Sequence, residues 1–113
     1  MNPLEALETL DLRVGRILRA EPNPRARKPS YKLWIDFGPL GEKTSSAQLT
    51  ARYGADQLVG RLVIAAVNLG ARNVAGFQSE VLVLGVPDAS GETVLLAVEQ
   101  DVPLGGESTR SER

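Results

Sequence analysis

Apolar side chains recur along this chain mostly at alternate positions, the period of half-buried strands, and at helical spacing near the N-terminus. Asn2-Pro3-Leu4-Glu5 reads as a helix start: Asn2 can cap, Pro3 suits the first helical position, and Glu5 can reach back to the cap. Leu4, Leu7 and Leu10 then share one face. So short a helix is not stable alone, so that face must pack on its own domain or on a second subunit.

Between Leu12 and Ala20 both alternating sets carry apolar residues, which predicts a long, bent strand with a bulge at Gly15. Glu21 to Pro29, with three prolines, is a loop. Tyr31, Leu33, Ile35 and Phe37 alternate with Lys32, Trp34 and Asp36, giving a second strand with one apolar face. Gly38 to Gly41 is a turn, and Lys43 to Leu49 returns as a third strand. Thr50 can cap a short helix through Leu58, with Gly60 as its stop. Leu62 to Val67 is uninterruptedly apolar, the pattern of a buried central strand. Ala71 to Phe77 reads as irregular with a turn at Gly76, Ser79 to Leu84 and Thr93 to Val98 as further strands, and Gly105 to Arg113 as a frayed tail.

Five or six short strands with one helix between the third and fourth are the order of an all-β OB-fold, a five-stranded Greek-key barrel. A small SH3-like barrel is the alternative. The expected organisation is a dimerisation helix over residues 1–9, the barrel domain over 10–105 and a flexible tail over 106–113.

Composition narrows the chemistry. In 113 residues there is no cysteine and no histidine, which removes disulfides, thiolate or imidazole metal sites and every Ser-His or Cys-His pairing. Asp36, Glu42, Asp56 and Glu80 are scattered, with no paired-carboxylate motif and no phosphate-cradling glycine loop. A non-enzymatic binding protein without catalytic residue, cofactor or metal is expected. Met1 to Leu10 holds two glutamates and no basic segment ahead of an apolar stretch, so a cytoplasmic location is expected.

The net charge of −1 conceals an asymmetry. Arg13, Arg16, Arg19, Arg25, Arg27, Lys28 and Lys32 are opposed within their stretch by Glu21 alone, which predicts one electropositive surface or a merely solvated face. Further along, Arg72 is the sole cation between Arg61 and Arg110, placed either to meet a ligand or to pair with Glu80. Ser45, Ser46 and Gln48 put two hydroxyls and an amide on the third strand, a face that OB-folds use for ligands. Phe77, after Gly76, is either a core anchor or a stacking platform. Trp34, on the mixed face of its strand, suits a partly exposed subunit or ligand surface.

Ser45-Ser46-Ala47-Gln48-Leu49-Thr50, the stretch from Val67-Asn68-Leu69-Gly70-Ala71-Arg72 to Leu84-Gly85, and Tyr31-Lys32-Leu33-Trp34-Ile35-Asp36-Phe37-Gly38 together resemble the CsaA-type proteins. These are small export-related chaperones within the wider family of tRNA-binding OB domains, the Trbp-type proteins and synthetase appendices. The likeness spans roughly Leu10 to Gly105. It implies a two-fold homodimer in which the N-terminal helix takes part, and binding of unfolded or pre-secretory polypeptides, with contact to the export machinery. For the synthetase-linked relatives it implies binding of tRNA by shape. The ligand candidates are Ser45, Ser46, Gln48, Asn68, Arg72, Phe77, Ser79 and Glu80 within these stretches, and Lys43 just before the first. Gly70-Ala71 stands where chaperone relatives have two prolines and synthetase relatives Lys-Pro, and Asn73 and Gln78 stand where a basic residue is usual. Those departures remove phosphate contacts and lean toward polypeptide as the ligand.

Overall fold

The computed structural model describes residues 1–108. The elements are α1 (Pro3–Thr9), β1 (Leu12–Pro22), β2 (Tyr31–Asp36), a 3-10 turn (Gly38–Leu40), β3 (Glu42–Ala47), α2 (Ala55–Leu58), β4 (Leu62–Ala66), β5 (Arg72–Val74), β6 (Phe77–Ser79), β7 (Leu82–Val83), β8 (Gly85–Pro87) and β9 (Thr93–Leu95). Five of the strands form one sheet in the order β3-β2-β1-β4-β7. It curls into a nearly closed OB-type barrel, while β5-β6 and β8-β9 are separate hairpins.

The alternation of β2 does what its pattern predicts: Tyr31, Leu33, Ile35 and Phe37 are buried, together with Ile17, Leu49, Leu58, Val63, Val81 and Leu95. Burying these apolar faces is the main force holding so small a barrel together. The break in β1 lies three residues past Gly15. Its register against β2 slips between Ile17 and Arg19, so Leu18 is the extra residue and stands exposed. The slip moves the inward set from Ile17 to Ala20 and turns Arg19 outward, which is why apolar residues occupy both alternating sets. Gly15 serves close packing instead. A Cβ there would come within 2.6 Å of Ile35 and 2.7 Å of Phe37.

Four other expectations are corrected. Ala71 to Phe77 is not irregular: β5 and β6 form a tight hairpin with Ala75 and Gly76 both at positive φ, a primed turn whose twist suits adjacent strands. The expected strand Ser79 to Leu84 breaks in two because the amides of both Glu80 and Val81 donate to the Thr44 carbonyl, tying the chain sideways onto β3. The helix near Thr50 begins only at Ala55, where the Gln57 side chain accepts from the Gly54 amide. The final strand ends at Leu95; its hairpin is fixed by the Tyr53 hydroxyl, which accepts from the Leu95 amide, and by an Arg52–Asp88 ion pair at 2.9 Å.

The tail is held as far as it is described. The Gly105 and Ser108 amides donate to the carbonyls of Val14 and Leu12, and the Val14 amide donates to Gly106, along the edge of β1 that β2 does not reach. Residues 109–113 of the expected tail lie outside the described residues.

In α1, Asn2 caps as its sequence predicts, its side chain accepting from the Glu5 amide and donating to the Glu5 carboxylate. None of the helix is buried; Leu4 is 47% and Leu7 45% exposed, and Leu10 is half-buried.

Candidate binding groove

The outer face of β2 and β3 is covered by the β5-β6 hairpin. Thr44 Oγ1 donates to the Gln78 carbonyl, and the Ser46 amide donates to Ser79 Oγ. At the seam between β3 and β7, where the five-stranded sheet stops short of closing, lies an open groove of about 1020 Å³. Its walls are the β1-β2 loop with Arg25, Arg27 and Lys28, Ser46 of β3 with Gln48 just past it, the hairpin residues Arg72 to Ala75 with Ser79, and Leu69 with Leu82.

Local chemistry shapes these walls. Asn23 is buried and organises the β1-β2 loop: its amide donates to the Ser30 carbonyl, its carbonyl accepts from Ala26, and its side chain accepts from the Arg25 amide. The same side chain donates to the Val74 carbonyl of the hairpin at 3.4 Å. The Arg25 guanidinium lies where Gly76 would carry a Cβ, 2.6 Å from that point. Loop and hairpin are thus fastened at one end of the groove.

Its charge is one-sided. Among the described residues no Asp or Glu lines the groove, while four cations do. Arg27, Lys28 and Arg72 are exposed and form no ion pair among the described residues. In particular Arg72 does not pair with Glu80. The Glu80 carboxylate instead accepts from the Thr44 amide at 3.1 Å and the Thr44 hydroxyl at 2.9 Å, where it braces the hairpin against β3. Ser30 also lines the groove; it is 4% exposed and its hydroxyl is buried without a hydrogen-bond partner. No local pattern in the sequence singles out Ser30, Leu69 or Leu82.

The structure sorts the sequence candidates. Ser46, Gln48, Arg72 and Ser79 meet at the groove. Ser45 does not: it is fully buried opposite Leu33, because alternation along β3 turns its side chain inward. Lys43 shares the Ser45 side of β3, two residues along, and is not part of the groove wall. The Asn68 side chain accepts from the Asp11 amide and donates to the Thr9 carbonyl, so it anchors the end of α1. Phe77 is outside the core cluster and packs edge-on against Trp34, ring centroids 5.5 Å apart. Arg19 lies 4.3 Å from the Trp34 ring and Lys32 5.9 Å from the Phe77 ring, so the ring pair has a cation against each member. Both oxygens of Glu21 accept from Arg19 at 2.8 Å, and this contact holds the Glu21 carboxyl below its ordinary range.

The single basic surface expected from residue 13 to residue 32 is in fact two. β1 spans about 33 Å, so Arg13 and Arg16 stand at the end away from the groove. There Arg13 donates to Asp11 and to the Gly105 carbonyl, with Glu107 at 3.6 Å, and Arg16 donates to the Gly60 carbonyl with Asp101 at 3.8 Å. The Asp11 contact raises the Arg13 pKa further, so this cation is fixed in place.

Comparison with known proteins places this geometry. Residues 12–107 match the family described as "Putative tRNA binding domain". The methionine–tRNA ligase of Methanocaldococcus jannaschii is 35% identical over 99 residues, 88% of this chain. The chain spans only 15% of that ligase's length. The crystal structure of chaperone CsaA from Bacillus anthracis superimposes with a TM-score of 0.88 at 48% identity, covering 96% of this chain and 99% of the other. That of the CsaA chaperone from Picrophilus torridus does so at 0.88 and 39%, covering 96% and 100%. The chain belongs to the tRNA-binding-domain family and, within it, to the CsaA-type proteins, non-catalytic binding domains built on an OB-type barrel.

Proposed function

We propose that the protein is a homodimeric cytoplasmic chaperone that binds unfolded or precursor polypeptides ahead of export. The groove at the barrel seam carries this reading. Extended polypeptide needs hydrogen-bonding groups for its backbone and apolar pockets for its side chains, and the groove offers both: Ser46 and Gln48 beside Leu69 and Leu82, each leucine about half exposed. Likeness to the CsaA chaperones over nearly the whole of both chains supports it. The leucine face of α1 supports the dimer, since no residue of that helix is buried within the chain.

The test is dilution of a chemically denatured reporter protein into buffer with and without this chain. Suppressed aggregation is expected, and its loss in Leu69→Asp/Leu82→Asp with an unchanged melting curve. Absence of suppression by the wild type overturns the reading. Light scattering on the intact chain should give about twice 12.1 kDa, and Leu4→Asp/Leu7→Asp should halve that mass.

A second reading, binding of tRNA, is favoured by the unpaired groove cations and by the ring pair of Trp34 and Phe77 with Arg19 and Lys32 against it. With so few cations the affinity is modest and falls steeply with salt. Tight tRNA binding that persists at several hundred millimolar salt puts this reading first.

A further inference from the structure

The groove has a chemical preference that follows from what is missing in its walls. Cations from the β1-β2 loop and Arg72 of the hairpin line it together, and among the described residues no carboxylate lines it with them. Elsewhere Arg13, Arg16, Arg19 and Arg52 each have a carboxylate within 4 Å. Among the described residues seven cations have none, and four of them, Arg25, Arg27, Lys28 and Arg72, gather at the groove, whereas Lys32, Lys43 and Arg61 lie outside it. Beside Arg27 and Lys28, the exposed amide side chain of Gln48 adds a neutral hydrogen-bonding group to the lining. The lining also carries the exposed side chains of Leu69 and Leu82.

We infer that the groove selects polypeptide segments in which aspartate or glutamate stands beside apolar side chains, and disfavours lysine- and arginine-rich segments. This rests on the polypeptide-binding reading above and gives that reading a specificity. A carboxylate brought between the loop cations and Arg72 gains charge-assisted hydrogen bonds in a concave, partly apolar site. A lysine brought there meets like charge from both walls with nothing to offset it. The leucines hold the neighbouring apolar side chain and set which residues of the segment enter together.

Fluorescence anisotropy tests it with three labelled, unstructured peptides of equal length and apolar content. One carries glutamates at set positions, one glutamines there, and one lysines. The glutamate peptide should bind the full chain at least about tenfold more tightly than the glutamine peptide, and the lysine peptide more weakly still. The spread should shrink as salt rises. Arg27→Glu/Lys28→Glu should reverse the order, and Arg72→Glu, in the hairpin, should reduce it independently.

Equal binding of all three peptides, or preference for lysine, overturns the inference and leaves the chaperone reading standing. Failure of every peptide while a labelled RNA hairpin binds overturns both. Reversal of the order by the loop variants is the result that supports the inference most directly.

Discussion

At the start of β1, Arg13 is held by Asp11, the Gly105 carbonyl and Glu107, and Arg16 by the Gly60 carbonyl and Asp101. Just past the end of the same strand, Arg27 and Lys28 face a groove without carboxylates among the described residues. The two groups belong to one basic stretch of sequence and have opposite roles. The first cations fasten the returning C-terminal segment to the barrel; the second leave a field open to a ligand. Charge density along a sequence therefore does not locate a binding surface. What decides is which counter-charges folding brings back from far along the chain.

The sharpest way to break this comparison is to reverse both walls of the groove. Arg27→Glu/Lys28→Glu/Arg72→Glu should weaken binding of tRNA or of an acidic unfolded peptide by about a hundredfold or more, since several charge-assisted contacts become repulsions. The melting temperature should hold within a degree or two, because these side chains are exposed and pack against no core. Retained binding would show that the ligand sits elsewhere.

Arg72 alone sharpens the comparison on the hairpin side. Because it forms no pair with Glu80, Arg72→Glu should lower binding about tenfold without loss of stability. Glu80→Gln should be nearly silent, since an amide oxygen still accepts from Thr44. Glu80→Ala should cost about 1–2 kcal/mol, as it leaves the half-buried Thr44 amide without its side-chain acceptor, while the Thr44 hydroxyl keeps the Gln78 carbonyl. Loss of stability in both Arg72→Glu and Glu80→Gln would restore the ion pair and make Arg72 structural.

The opposite end of β1 should behave in the reverse sense. Arg13→Ala removes contacts to Asp11, Gly105 and Glu107 together, so the melting temperature should fall by a few degrees while peptide and RNA binding stay unchanged. Hydrogen exchange at the Gly105 and Ser108 amides, which donate to β1, should quicken in this variant. Lower binding at unchanged stability would place Arg13 at the ligand instead.

The barrel and its core were legible in the sequence because alternation records them residue by residue, as β2 shows from Tyr31 to Phe37. The β1 bulge was legible only as a fact: both sets of positions carry apolar residues, but nothing local tells Leu18 from Gly15 as the extra residue. Short strands of two or three residues, such as β6 and β7, leave no period to read. The site divided along the same line. Ser46, Gln48, Arg72 and Ser79 could be named from residue type and position, and they meet at the groove. That Ser45 faces inward follows from its register against Leu33, which the fold sets. Asp11 is near Arg13 in sequence, but Gly105 and Glu107 lie more than ninety residues away, so its role in holding the C-terminal segment needed the fold.

Acid gives the smallest and most selective separation of paired from unpaired cations. The Asp88 carboxyl accepts from the Glu92 amide first, then from the Ser90 amide and from Arg52, and these bonds outweigh its desolvation and lower its pKa below the ordinary range. Glu21 is lowered chiefly by its hydrogen bond from Arg19. A carboxyl whose pKa is lower in the folded state binds fewer protons there than in the unfolded chain. Its contribution is complete above the unfolded value, about pH 4, and is lost as pH falls through the folded value. At neutral pH, Asp88→Asn should therefore melt below the wild type, and the gap should close as pH falls below about 4. Arg27→Gln/Lys28→Gln should follow the wild-type acid profile, because those cations have no carboxylate partner among the described residues to lose. Melting curves of the three proteins from neutral pH into the acid range decide the point. A gap for Asp88→Asn that persists undiminished in acid would mean that the gap does not arise from the ionised Asp88 carboxylate.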